Sequence, residues 1–94
     1  RTSIAILDDE PRMAEVLAMI LRADGYDAEP FFHPQQFFTR WNEDQTWDLL
    51  ITDLKMPSID GLEVLSRING AIPVILMTAH ATIKTAVDAM RQGA

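Results

Sequence analysis

The sequence predicts an α/β domain with a doubly wound parallel β-sheet and helices on both of its faces. Apolar runs of strand length alternate with stretches of helical periodicity, and glycine and proline residues mark the boundaries between them. This strand–helix order repeats four times, which is typical of a parallel sheet with right-handed crossovers. The chain has 94 residues, a length that suits one domain, and we expect residues 1–94 to form it.

The first strand–helix unit has the clearest signals. Residues 3–7 are a nearly continuous apolar run, as expected for a central strand. Pro11 suits the first turn of the helix that follows, and Gly25 suits a left-handed cap at its end. Between them, apolar side chains recur with helical spacing and predict one apolar stripe, formed by Met13, Val16, Leu17, Ile20 and Leu21.

The second unit is expected to place its strand at an edge of the sheet. Residues 26–32 have strand character, but Asp27 and Glu29 interrupt it and Pro30 cannot donate a hydrogen bond to a neighbouring strand. His33 then precedes a short helix whose aromatic side chains are predicted to face inward. These are Phe37, Phe38 and Trp41.

The third and fourth units follow the same plan. Trp47 leads into an apolar strand that ends at Asp53, and Gly61 lies where the chain turns into a helix. Residues 73–78 form another apolar strand, which ends at Thr78. The two predicted helices are marked by Val64, Leu65 and Ile68 in the third unit and by Ile83, Ala86, Val87 and Met90 in the fourth.

Composition narrows the classes of function. The net charge of −6 argues against direct binding of nucleic acid or of an anionic membrane by this domain, whereas it fits a site that takes a cation. Because the chain has no cysteine, disulfides and thiol chemistry are excluded. We find no apolar segment of membrane-spanning length and no signal peptide in the sequence, and we therefore expect a cytoplasmic protein.

Polar side chains follow three of the predicted strands, at the point where each strand ends. Asp8 and Asp9 follow the first strand, Asp53 ends the third and Thr78 ends the fourth. Ligands of parallel sheets bind at the carboxyl ends of the strands, so we expect these groups to converge. Clustered carboxylates repel one another until a proton or a cation neutralises them. Oxygen ligands alone favour a hard cation, and Mg²⁺ is the predicted one.

Each of these residues also has a simpler interpretation. The acids at positions 8–10 could only favour the start of a helix, and Asp53 could only precede a turn. Thr78 could be an ordinary β-branched strand residue, Asp60 a turn residue and His80 a solvated loop residue. It is the order of the acids and of Thr78 on a repeated strand–helix pattern that favours a functional site.

Taken together, these residues resemble the receiver domain of bacterial two-component response regulators. The resemblance covers the whole chain and rests on the pair Asp8-Asp9, the pattern Asp53-x-x-Met56-Pro57-x-x-x-Gly61 and the pair Thr78-Ala79. It implies a flavodoxin-like (βα)5 fold with strand order 2-1-3-4-5. After Gly93 and Ala94 the family continues into a fifth strand, a lysine and a fifth helix, so we expect a fold truncated to about (βα)4.

The resemblance also implies a role for each site residue. Asp53 would accept a phosphoryl group from a sensor histidine kinase. Asp9, Asp53 and the backbone carbonyl of Lys55 would ligate Mg²⁺, and Asp8 would hold it through water. Thr78 would be the switch hydroxyl, moving toward the phosphoryl group together with the loop and helix that follow.

Three further implications concern regulation. Ala79 would keep the entrance to the site open. Lys55 and His80 occupy positions that tune the loss of the phosphoryl group. The domain would thus be a signalling switch that catalyses its own phosphorylation and dephosphorylation, rather than an enzyme acting on other substrates.

Residues 77–94 most resemble receivers of the nitrogen-regulatory class, which control sigma-54-dependent transcription through a downstream effector domain. A receiver without its fifth strand would leave residues 73–78 as an open apolar edge, so we also expect a homodimer. Two alternatives remain open at this stage. One is a pseudo-receiver that docks or dimerises without phosphorylation. The other, an aspartate-nucleophile phosphatase, would need a second aspartate where Lys55 stands.

Overall fold

The computed structural model describes residues 2–43, 46–54, 56 and 60–77, and these form seven elements in strict strand–helix alternation. The strands are β1 (Ser3–Leu7), β2 (Asp27–Phe31), β3 (Leu49–Asp53) and β4 (Val74–Met77). The helices are α1 (Pro11–Ala23), α2 (Pro34–Glu43) and α3 (Gly61–Ile68). The predicted α/β class is confirmed. The helix predicted after Thr78 lies outside the described residues.

All four strands are parallel and lie in the order β2-β1-β3-β4. The predicted edge position of β2 is confirmed. Its Pro30 lies beside Ile6 of β1, and the carbonyl of Ala28 accepts a hydrogen bond of 2.9 Å from Arg22 Nε. Proline lacks the N–H group that would pair with another strand, and a side chain hydrogen-bonded to a backbone carbonyl occupies an acceptor. Both make an edge strand less able to pair with another chain.

An aromatic core fills the side of the sheet that α2 and α3 cover. Phe37 is fully buried, as is Leu50 of β3, and the ring of Phe37 contacts those of Phe31 and Trp47 at centroid distances of 5.6 and 5.4 Å. The predicted inward aromatic face of α2 is confirmed, because Phe38 and Trp41 are also buried. This packing fixes α2 and α3 against the sheet.

Helix α1 covers the opposite side of the sheet, as part of a second apolar cluster. The helix boundaries of α1 and the positive φ of Gly25, at 95°, agree with the prediction. However, the residues of α1 that pack fully against the sheet are Ala14 and Ala18, whereas much of the predicted apolar stripe is exposed. Its exposed members are Met13 at 55%, Val16 at 45% and Ile20 at 56%. The small side chains of Ala14 and Ala18 let α1 lie close to the sheet.

Candidate functional site

Three carboxylates meet at the carboxyl ends of β1 and β3. Pairing of Leu7 with Thr52 aligns the two strands so that Asp8 and Asp53 follow as neighbours, and Asp9 lies next along the chain. One oxygen from each of the three side chains lies within 4.8 Å of the others. The convergence predicted for Asp8, Asp9 and Asp53 is therefore confirmed as geometry.

Asp8 is held rigidly at this edge. Its backbone N–H donates to the carbonyl of Phe31 at 3.0 Å, and its own Oδ1 accepts the backbone N–H of Glu10 at 2.9 Å. The side chain is buried, with only 5% of its surface exposed. Burial raises the pKa of Asp8, the hydrogen bond from Glu10 opposes the rise, and the charges of Asp53 and Asp9 add to it.

Asp53 lies half-buried at the last position of β3, where the strand reaches the sheet edge. The next residue, Leu54, continues the ladder by donating its N–H to Met77 at 3.0 Å. The carbonyl of Leu54 then accepts the N–H of Gly61 at 2.8 Å, so that the start of α3 is tied to the end of β3. The backbone around Asp53 is fixed by both neighbouring elements.

The start of α3 contains a cap that the sequence interpretation missed. Asp60, interpreted there as a turn residue, is the N-cap, and its Oδ1 accepts the backbone N–H of Glu63 at 3.0 Å. The spacing of an acid three residues before a glutamate at a helix start is the signal that could have identified it. Asp60 thus stabilises the helix that adjoins Asp53 without joining the carboxylate cluster.

The donor set of the cluster fits a hard divalent cation. It consists of carboxylate oxygens alone, which are the ligands that Mg²⁺ prefers, and burial, together with the charges of Asp53 and Asp9, raises the pKa of Asp8. A cation would replace the proton that burial and repulsion favour on Asp8. The other predicted site residues, Lys55, Thr78, Ala79 and His80, lie outside the described residues.

Another cleft lies away from the carboxylates. It measures about 600 Å³ and is lined by Ser3 and Asp27, which begin their strands, together with Arg22 and Trp47. It therefore lies at the amino ends of the strands, away from the carboxylates, and its charges are of mixed sign. The edge with the carboxylates is the better candidate because several groups of one chemistry converge there.

A sequence model of the response regulator receiver domain matches residues 4–94. The chain belongs to the receiver domain family. Receiver domains of two-component systems are signalling switches that pair with histidine kinases and with effector domains, and members of the family generally bind Mg²⁺ at acidic residues. Within the described residues, no helix of this receiver domain is both long and apolar enough to cross a membrane.

Individual relatives support the same assignment. The receiver domain is 35% identical to the transcriptional regulatory protein ZraR of Escherichia coli K12 over 94 residues, which covers 97% of this chain and 21% of ZraR. It is 34% identical to the DNA-binding transcriptional regulator NtrC of Proteus hauseri over 95 residues, covering 98% of this chain and 20% of NtrC. The predicted similarity to the nitrogen-regulatory class is thereby confirmed. The chain spans about a fifth of the length of these curated relatives.

The fold agrees with a solved receiver structure. The beryllofluoride-activated NtrC4 receiver domain, determined in solution as a dimer, superposes with a TM-score of 0.89 at 26% identity. The match covers 98% of this chain and 78% of that one. The predicted receiver fold with strand order 2-1-3-4 is confirmed over the described residues.

Proposed function

We propose that this receiver domain is a phosphorylatable switch in which Asp53 accepts a phosphoryl group from a histidine kinase. The observation that carries the proposal is the convergence of Asp53 with Asp8 and Asp9 within 4.8 Å at the carboxyl ends of the strands. Asp53 is the member at the end of β3, and it is half-buried rather than closed off. A carboxylate in that position can be reached by a phosphorylated side chain of another protein.

The residues of the site have distinct parts in the proposal. Asp9, Asp53 and the backbone carbonyl of Lys55 would ligate Mg²⁺ directly, and Asp8 would hold it through a water molecule. When bound, Mg²⁺ neutralises charge on the transferring phosphoryl oxygens and on the carboxylates. Asp8 is buried and accepts the N–H of Glu10. Its carboxylate is therefore held in place at the site even without the ion.

The transfer step itself is a displacement at phosphorus. A carboxylate oxygen of Asp53 forms a bond to the phosphorus atom of the phosphohistidine, and the nitrogen–phosphorus bond breaks. The electron pair of that bond leaves on the imidazole nitrogen, and the product on this chain is an acyl phosphate. Water later attacks the phosphorus, which releases inorganic phosphate and restores the carboxylate. Lys55 and His80 are the residues that we propose to tune this second step.

Phosphorylation would act on the rest of the protein through Thr78. Its hydroxyl would move toward the phosphoryl group, and the loop with Ala79 and the helix that follows would move with it. We propose that this change controls transcription through a downstream effector domain, since the relatives ZraR and NtrC are named transcriptional regulators. The resemblance of residues 77–94 to receivers of the nitrogen-regulatory class is the reason to propose sigma-54 dependence. The expected cytoplasmic location and the absence of direct nucleic-acid binding by this domain stay predictions.

A homodimer is the proposed assembly. The NtrC4 receiver that superposes on this chain was determined as a dimer. Light scattering at tens of micromolar protein would test the assembly, and a monomer at that concentration would contradict it.

Incubation with acetyl phosphate and Mg²⁺, followed by intact-mass measurement, tests the phosphorylation. We expect the protein to gain the mass of one phosphoryl group, and Asp53→Asn to gain none. Asp24→Asn is the matched control, because Asp24 is an exposed carboxylate at the far end of the 13-residue helix α1. The Asp24→Asn protein should gain one phosphoryl group, as the natural protein does. If the natural protein gains no phosphate, the pseudo-receiver alternative is favoured.

A further inference from the structure

The residue before Asp53 carries a buried hydroxyl that bonds to the backbone of Asp53. Thr52 is fully buried on the aromatic side of the sheet, where it pairs with Leu7 of β1 and Leu76 of β4. Its Oγ1 donates to the main-chain carbonyl of Asp53 at 3.1 Å. A buried hydroxyl needs a hydrogen-bond partner, so the Thr52 side chain fixes the orientation of the peptide unit that follows Asp53.

The first residue of α3, Gly61, also lies close to this carbonyl. A Cβ atom at Gly61 would lie 2.8 Å from the carbonyl oxygen of Asp53 and 2.9 Å from Cα of Leu54. It would also lie 3.1 Å from Cδ2 of Leu76. The two closest atoms belong to the backbone, which cannot move aside as the end of a flexible side chain can. Glycine is therefore required here for space, so that α3 can pack against the end of β3.

We infer that Thr52 and Gly61 are positioning residues that together fix the main-chain carbonyl of Asp53. Thr52 holds it by a hydrogen bond, and Gly61 leaves the room that this orientation needs while donating its own N–H to Leu54. The inference rests on the proposed function, in which the side chain on the same residue is the phosphoryl acceptor. Displacement of a reacting group by about 1 Å can slow a reaction about a hundredfold, so the constraint has consequences for rate.

Two substitutions at Thr52 separate positioning from mere packing. Thr52→Val keeps the shape and volume of the side chain but removes the hydroxyl, whereas Thr52→Ser keeps the hydroxyl and removes a buried methyl group. If Thr52 only packs in the core, serine should be the more harmful replacement, because it leaves a small cavity. If the hydroxyl positions Asp53, valine should be the more harmful one for phosphorylation.

A matched pair of glycines makes the second test. Gly61→Ala should push the carbonyl of Asp53, while Gly70→Ala should strain the other end of the same helix without touching it. Gly70 has a φ of 77°, which alanine adopts only at a cost, but a Cβ there would meet nothing within 4 Å. Both variants are expected to be less stable than the natural protein, and only Gly61→Ala should disturb the site.

The measurement is the rate of phosphorylation by acetyl phosphate with Mg²⁺, followed by intact mass, with the urea midpoint of unfolding recorded for each variant. We expect Thr52→Val and Gly61→Ala to react about tenfold more slowly than the natural protein. Thr52→Ser and Gly70→Ala should react within about twofold of it, despite lower urea midpoints. Rates that follow the urea midpoints, or four variants with equal rates, would overturn the inference while leaving the proposed function intact. Absence of phosphorylation in the natural protein would overturn both.

Discussion

Replacement of Asp8 by asparagine should stabilise the domain when no divalent cation is present. Asparagine keeps the oxygen that accepts the N–H of Glu10, but it removes a buried charge that lies within 4.8 Å of oxygens of Asp9 and Asp53. Two unit charges at that distance repel by about 3 kcal/mol at an effective dielectric constant of about 20. Counter-ions and partial protonation reduce this repulsion, so we expect a net gain of about 2 kcal/mol at pH 7.

Thermal unfolding followed by circular dichroism, in low salt with a chelator, measures this gain. For a domain of this size, about 2 kcal/mol corresponds to a rise in Tm of about 10 °C. Mg²⁺ should then stabilise the natural protein by about 2.7 kcal/mol at a concentration a hundred times its Kd, and should stabilise Asp8→Asn less. The difference between the two proteins should therefore shrink or reverse when Mg²⁺ is added.

The control is Asp24→Asn, which removes an exposed carboxylate outside the cluster and should change the free energy of unfolding by less than about 0.5 kcal/mol. An Asp8→Asn protein that is as stable as the natural one, or less stable, without divalent cation would refute the reasoning. It would mean that the structure already compensates the charge of Asp8. The same conclusion would follow if Mg²⁺ stabilised both proteins equally.

Three further predictions concern pH, the cap of α3 and the core. The pKa of Asp8 is raised in the folded state, so protonation of Asp8 favours folding. This stabilisation should be complete below the unfolded pKa, near 3.8, and should be lost as the pH rises through the folded pKa. The free energy of urea unfolding, measured at several pH values without Mg²⁺, should show this loss for the natural protein and not for Asp8→Asn. Asp60→Ala should cost about 1 kcal/mol in urea unfolding, because Glu63 loses its N-cap acceptor, whereas Asp60→Asn should cost much less. Phe37→Ala should cost about 3–5 kcal/mol, since the side chain is fully buried among other rings, and a loss below about 1 kcal/mol would contradict the packing described.

The sequence predicts most of the sheet because its signals are local. The apolar runs of β1 and β3 end in carboxylates, and Pro30 in β2 excludes a central position. Since parallel strands end at one edge, the convergence of Asp8 and Asp53 follows from the order of the elements alone. These predictions needed no knowledge of how the helices pack.

The features that the sequence did not predict depend on packing between elements. The apolar stripe predicts the amphipathic helix α1, but it does not say which side chains meet the sheet. These are Ala14 and Ala18, whereas Met13, Val16 and Ile20 are exposed. Periodicity predicts that an amphipathic helix is present. The rotation of that helix about its axis depends on how its side chains pack against the sheet.

Two features near Asp53 have the same origin. The tight approach of Gly61 joins the start of α3 to the end of β3, and the hydrogen bond from Thr52 joins neighbours within β3, but neither contact follows from a pattern of residue types. A threonine in an apolar run is unremarkable in sequence, because β-branched residues favour strands in general. Only the position of its hydroxyl against the carbonyl of Asp53 distinguishes it.

Chemical identification of the phosphorylated residue tests the central claim most directly. The protein would be treated with acetyl phosphate and Mg²⁺ and then with borohydride, which delivers hydride to an acyl phosphate, releases phosphate and leaves an alcohol in place of the carboxyl group. Sequencing of the peptide by mass spectrometry should find homoserine at position 53, with Asp8 and Asp9 unchanged. Homoserine at Asp8, Asp9 or any other position, or none at all, would contradict the assignment of Asp53 as the phosphoryl acceptor.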